Sequence, residues 1–194
     1  RAVFLKQVHG VDVAQLNTAT PDGIQADACI TQTPQVACAI MVADCLPLLF
    51  TDDAGLVVAA AHAGWRGLAA GVIEHTVHAM CEQAGVAPAQ VRVWLGPCIG
   101  PDAFEVGDDV RVAFTAQGNA SAAERYFKPH PTHTGKWLAD LAGLAHMRLQ
   151  ALGVTSVAGN DSTSEWCTVA QRSRLFSFRR DAVTGRFAVC IWRN

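Results

Sequence analysis

Two histidines and one cysteine stand out as side chains able to do chemistry. They are His9 within Lys-Gln-Val-His-Gly, Cys45 directly after Asp44, and His62 directly before Ala-Gly-Trp-Arg-Gly. Imidazole nitrogen and thiolate sulfur are ready zinc ligands, and three of them with a fourth position open describe a catalytic metal site. Each of the three ends or opens an apolar run beside turn residues, where side chains converge on one rim of a sheet. Two other readings fit the same residues. Each His can be a hydrogen-bonded structural residue with Cys45 a buried thiol. Alternatively, Cys45 can be a nucleophile with His62 as its base, in the manner of a cysteine hydrolase.

Around these three lie weaker candidates. Asp44 can orient the site or act as a general base, although strand alternation turns it away from the face that Cys45 uses. Its plainer role is to stabilise a turn. Arg66 stands at the start of an amphipathic helix, where a guanidinium beside free backbone N–H groups makes a phosphate site. The plainer role there is a surface ion pair. Arg179 and Arg180 point to opposite faces if their strand is regular, so at most one faces a pocket, and Arg180 is the candidate. His75 and His78 share an exposed helix face, and His130 and His133 lie in a Pro-Thr loop, so both pairs read as solvated. Cys98, between Pro97 and Ile99, reads as structural.

The elements that must position these groups are strands first. Apolar runs at Ala2 to Val8, Val11 to Leu16, Val36 to Met41, Leu46 to Phe50 and Leu56 to Ala61 predict a largely antiparallel sheet. Thr51-Asp52-Asp53-Ala54-Gly55 links two of them and predicts a hairpin over 46–61, with Cys45 and His62 side by side at its open end. Helical spacing then takes over, with Ala69, Val72, Ile73, Val77, Met80 and Ala84 on one face. Val91 to Leu95 is a further strand before the turn-rich Gly96 to Pro101. A second helix runs from Leu138 to Leu152 and stops at Gly153. Leu175 to Phe178 and Phe187 to Trp192 predict a closing hairpin around Ala182-Val183-Thr184-Gly185. The fold class is α+β, a layered sandwich of mainly antiparallel sheet with packed helices.

Composition bounds the function. With 51% of its 194 residues apolar and 16% charged, the chain supports one sizeable core, so a single domain over 1–194 is expected. The net charge is −2 with basic residues scattered, which gives no footprint for nucleic acid or an anionic membrane. A small-molecule substrate fits better. No apolar run approaches the roughly 18 to 20 residues that span a bilayer, and the opening residues lack a signal-peptide cleavage site. Seven cysteines with no Cys-x-x-Cys pair read as reduced thiols, and a cytoplasmic location is expected.

Six motifs in order carry a resemblance: Lys-Gln-Val-His-Gly (6–10), Ala-Asp-Cys-Leu-Pro-Leu-Leu-Phe (43–50), Ala-His-Ala-Gly-Trp-Arg-Gly (61–67), Leu-Gly-Pro-Cys-Ile-Gly-Pro (95–101), Phe-Glu-Val-Gly (104–107) and Phe-Ser-Phe-Arg-Arg-Asp (176–181). Together they resemble the bacterial laccase-domain, or YfiH-like, multicopper polyphenol oxidoreductase family. Its members are described as purine nucleoside phosphorylases with adenosine deaminase activity, as polyphenol oxidases and as peptidoglycan-editing factors. The resemblance implies a single zinc on His9, Cys45 and His62, and a fold related to that of a cysteine-hydrolase toxin. It further implies phosphorolysis of adenosine, inosine, guanosine and 5′-methylthioadenosine with phosphate as co-substrate, and it draws Gln7, Arg66 and Arg180 in as candidate substrate contacts. Family members usually carry a further segment before the first motif, so the domain is expected to lack it. Copper oxidation is the weaker reading, because the chain has seven histidines and no His-x-His pair. A non-enzymatic muropeptide-binding role leaves an open zinc position unexplained.

Overall fold

The computed structural model describes residues 1–116 and 120–194. Four strands precede the hairpin: β1 (Ala2–Phe4), β2 (Val13–Gln15), β3 (Ala28–Thr31) and β4 (Ala37–Val42). The hairpin itself forms as expected, from β5 (Leu46–Asp52) and β6 (Val58–Ala63). Asp52 shapes its turn, accepting the N–H groups of Ala54 at 3.0 Å and Val57 at 2.8 Å. The register sets Leu46 opposite Ala63 and Pro47 opposite His62, which brings Cys45 and His62 to one end.

The expected helix after His62 is two helices, α1 (Trp65–Ala70) and α2 (Val72–Ala84). Gly71 breaks it: with φ at 105° it ends α1 in a left-handed conformation that a residue with a Cβ would resist. Next come β7 (Val91–Leu95), β8 (Glu105–Gly107), α3 (Asp108–Thr115), α4 (Ala120–Glu124), β9 (Phe127–Pro129) and β10 (Lys136–Ala139). The second expected helix begins later than Leu138, as α5 (Leu141–Ala151), because Leu138 belongs to β10 and Asp140 caps the helix by accepting from the Gly143 N–H. The chain closes with β11 (Ser156–Gly159), α6 (Phe178–Asp181) and β12 (Phe187–Ile191).

The expected closing hairpin is not formed. Ser177 accepts the N–H of Arg180 and starts the short helix α6, and β12 pairs with β4 instead. The strands build three sheets, in the orders β11-β7-β5-β6-β3-β2, β1-β4-β12 and β8-β10-β9. Antiparallel pairing dominates, with parallel pairs at β1/β4, β2/β3 and β7/β11. The architecture is therefore the α+β layering expected.

Both faces of the large sheet are covered, which explains why β6 is buried along its whole length. Ala59, Ala61 and Ala63 face the main core with α2 and α5, while Ala60 joins a second core under β4. Alternation puts His62 on the Ala60 side, where Cys45 also packs. Burying side chains such as Leu48 and Phe50, both fully inaccessible, contributes roughly 1.5–3 kcal/mol each. The rim that carries the functional residues is thus fixed to a rigid double-faced sheet.

Candidate metal centre

His62 arrives on β6, Cys45 just before β5, and His9 on the bend after β1. Their ligand atoms lie within 4.8 Å of one another. Cys45 Sγ is 3.8 Å from His9 Nε2, and the two imidazole rings meet edge to face with centroids 4.8 Å apart. Gly64 is needed beside them. A Cβ there would fall 2.6 Å from His9 Cδ2 and 3.0 Å from Cys45 Sγ.

Behind the three stands Asp27, a fully buried carboxylate that sequence reasoning passed over. It accepts the backbone N–H groups of Val8 at 3.1 Å, His9 at 2.8 Å and Gly10 at 2.7 Å. Three successive N–H groups converging on one anion hold His9 in a left-handed conformation, φ 63°, which costs a residue with a Cβ on the order of 1 kcal/mol. Asp27 also lies 2.8 Å from His62 Nδ1. Since a carboxylate only accepts, Nδ1 carries the proton and Nε2 remains as the ligand nitrogen, the arrangement metal-binding histidines use. The signal for Asp27 was a lone acid within the apolar stretch Ala26 to Ile30, where burial demands partners.

The electrostatics agree. Burial opposes ionisation of the Cys45 thiol, but hydrogen bonds to His62 and His9 bring it from its usual 9 down to about 7. Burial likewise opposes a charge on His62, yet Asp27 and Cys45 raise it to about 9. Burial opposes the charge on Asp27 too, and there His62 and the Gly10, Val8 and His9 amides prevail, holding it below the usual carboxylate range. Two imidazoles, a thiol inclined to ionise and a tautomer fixed from behind form a donor set that fits zinc with one position to spare.

A family model described as multi-copper polyphenol oxidoreductase laccase matches residues 1–194. The chain belongs to that family. Purine nucleoside phosphorylase YfiH of Escherichia coli K12 is 46% identical over 192 residues, spanning 99% of this chain and 74% of the relative. A purine nucleoside phosphorylase of Pseudomonas aeruginosa is 48% identical over the same shares. A crystal structure from Neisseria meningitidis superimposes with a TM-score of 0.89 at 46% identity, over 100% of this chain and 75% of that one. The hypothetical protein YfiH of Bacillus licheniformis gives a TM-score of 0.89 at 25% identity, over 100% and 74%.

In this member of the laccase family the other candidate residues sort by what they touch. Asp44, at φ 90°, accepts from Thr168 Oγ1 and from the Arg179 N–H at 2.7 Å, and its carbonyl takes the Ile99 N–H at 2.8 Å. It ties the Cys45 turn to the C-terminal segment and to the Gly-Pro loop. The Arg180 guanidinium donates to the carbonyls of Thr168 at 2.6 Å and Leu175 at 3.1 Å and pairs with Asp181. Gln7 spends its amide on Met41, giving to its carbonyl at 2.9 Å and taking its N–H at 3.0 Å. Arg66 differs from these. It is exposed on α1, lies 4.4 Å above the Trp65 ring, and makes no ion pair among the described residues.

A second group of ligand-type side chains also comes together, Glu105 with His130 and His133, again with ligand atoms within 4.8 Å. Sequence reasoning read this pair of histidines as merely solvated. His75 and His78 stay on the exposed side of α2, as expected.

Proposed function

We propose that this chain is a zinc-dependent purine nucleoside phosphorylase, acting on adenosine, inosine, guanosine and 5′-methylthioadenosine, that also deaminates adenosine. The observation that carries the reading is the Asp27-backed cluster of His9, Cys45 and His62, in a chain whose relatives from Escherichia coli and Pseudomonas aeruginosa are named purine nucleoside phosphorylases. Residues 1–194 act as a single domain, in the cytoplasm, on nucleoside and phosphate.

Zinc held by His9, Cys45 and His62 supplies Lewis-acid activation of water, suited to attack at the purine C6 position. The rest falls to the chain itself. Asp27 keeps the His62 proton on Nδ1, and the His9 backbone is pinned by the same carboxylate. Arg66 is the cation for phosphate: its guanidinium makes no ion pair among the described residues, and it stands two residues from Gly64, where a Cβ would meet both His9 and Cys45. A phosphate held there adds a charge-assisted contact and is positioned for attack on the sugar C1′. Asp44, through Thr168 and Arg179, keeps the Cys45 turn from moving.

The test is to incubate zinc-analysed protein with adenosine, with and without phosphate, and to identify the products by mass. Adenine with ribose 1-phosphate is expected only with phosphate, and inosine in both conditions. About one tightly held zinc should survive dialysis, and Cys45→Ser should lose both the metal and turnover. Full turnover in zinc-free protein that stops on Cys45 alkylation would replace this reading with the Cys45/His62 hydrolase. Absence of any turnover by zinc-loaded protein would leave a binding role.

A further inference from the structure

Outside the centre described above, one other place among the described residues gathers ligand-type side chains from separate elements. Glu105 lies on β8, and His130 and His133 lie on the loop joining β9 to β10, the strand that pairs with β8. Glu105 Oε2 is 2.6 Å from His133 Nδ1 and 3.3 Å from His130 Nε2. The two rings stack nearly parallel, 4.3 Å between centroids and 4° between planes. We propose that Glu105, His130 and His133 form a second, solvent-facing site for a divalent first-row transition metal.

The donor set is two imidazole nitrogens and a carboxylate, which suits zinc, cobalt, nickel or copper and leaves positions for water. The loop is held in shape for the task. Pro129 and Pro131 flank His130 and restrict its backbone, and the loop closes through His130 N–H to the Lys136 carbonyl at 2.9 Å and Lys136 N–H to the His133 carbonyl at 3.1 Å. His130 and His133 are then presented to one carboxylate oxygen from the same side.

The His133 ring donates its Nδ1–H to Glu105 and His130 Nε2 lies 3.3 Å from the same oxygen, so a cation takes the place facing these ring nitrogens while each neutral imidazole shifts its proton to its other nitrogen. His133 can do this simply, since its ring is largely exposed. His130 must also move a proton to Nδ1, which now takes the N–H groups of Thr132 at 3.3 Å and His133 at 3.1 Å. Thr132 Oγ1, 3.4 Å away, is the acceptor that becomes available, and water can take the two displaced amides of this exposed loop. This rearrangement makes the second site weaker than the Asp27-backed one, with the metal exchanging freely with solvent.

Cobalt(II) distinguishes the two. Titrated into untagged, metal-free protein, the first equivalent gives a sulfur-to-cobalt charge-transfer band from Cys45. The second equivalent, counted by equilibrium dialysis, adds no such band, because its ligands contain no sulfur. His133→Asn and Glu105→Gln, on an exposed edge of the fold, should each reduce binding from two equivalents to one and leave the charge-transfer band unchanged. Cys45→Ser should remove the band and the first equivalent while leaving the second. One equivalent in the unaltered protein at saturating cobalt overturns the proposal, as does a second equivalent that persists in His133→Asn. Loss of the Cys45 band from the unaltered protein would instead count against the first centre and leave this site standing.

Discussion

At the His9, Cys45 and His62 centre a buried carboxylate stands behind the ligands; at the Glu105, His130 and His133 cluster the carboxylate stands among them. Asp27 uses its oxygens on three backbone amides and on the ring nitrogen that a metal does not need, so the donor atoms facing the centre stay uncommitted to it. Glu105 takes a hydrogen bond from His133 and is approached by His130 at 3.3 Å through the same atoms that a metal would take. Both sites give up contacts among their donor atoms to bind a metal, but only the first has a carboxylate behind the ligands that keeps them in place throughout. Similar residue types thus give a tight site or a labile one, according to what lies in the next layer.

The comparison breaks most visibly at Asp27. Asp27→Ala leaves His62 free to rotate and three partly buried amides without an acceptor, so metal affinity should fall about 100-fold, the upper end for removing such an orienting group. Stability should fall as well, by about 3 kcal/mol for the abandoned amides. Denaturant unfolding and competition with a chelator read the two losses. An affinity within twofold of the unaltered protein would mean that the ligands need no support from behind.

Next in size is Arg66→Ala, which removes a charge-assisted contact to phosphate of about 1.5–3 kcal/mol and should slow phosphorolysis about ten- to a hundredfold. Adenosine deamination, which needs no phosphate, should change little. Assaying adenine release and inosine formation across a phosphate titration separates the two. Equal losses would place Arg66 in the nucleoside pocket instead.

A smaller effect tests the coupling inside the first centre. In metal-free protein the Cys45 thiol should titrate near 7, and in His62→Ala back toward its usual 9. The thiolate fraction at pH 7 then falls about fiftyfold, but the more basic thiolate is also the better nucleophile, so iodoacetamide alkylation should slow only about fivefold. An unchanged rate would mean that His62 does not act on the sulfur.

The two regions also differ in how far the sequence revealed them. Cys45 and His62 were readable because a hairpin turn carries sequence chemistry of its own, and the turn fixed which residues meet at the open end. His9 was readable from its place at the end of an apolar run. Asp27 was not, since a carboxylate is informative only once its partners are known, and those partners come from the bend at residues 8–10 and from β6. The apolar run Leu175 to Phe178 suggested a strand, yet Ser177 competes for the Arg180 amide and starts a helix, so Arg180 turns to carbonyls of its own segment. The single helix expected after His62 failed at Gly71, where left-handed backbone splits it. His130 and His133 looked like a solvated pair because Glu105, on another strand, meets them only through sheet pairing.

The smallest expected effect lies at that second cluster. The hydrogen bond from His133 is the main reason the Glu105 carboxyl sits below its usual range, with burial opposing and the charges of His133 and His130 assisting. A carboxyl depressed in the folded state stabilises the fold above its unfolded pKa, and that contribution disappears as the pH falls through the folded value. The pair is exposed, so solvent screening keeps the change in stability small and carboxyl chemical shifts are the better measure. In metal-free protein the Glu105 carboxyl resonance should titrate below the value of an unperturbed glutamate, and in His133→Asn it should move back up. Added zinc should push the titration of the unaltered protein lower still, since a cation favours the carboxylate more than a donated N–H does. A titration that ignores both the substitution and the metal would show that Glu105 and His133 meet only as neighbours on the surface. The contrast with the Asp27-backed centre would then be between a site and no site, in place of one between a tight site and a labile one.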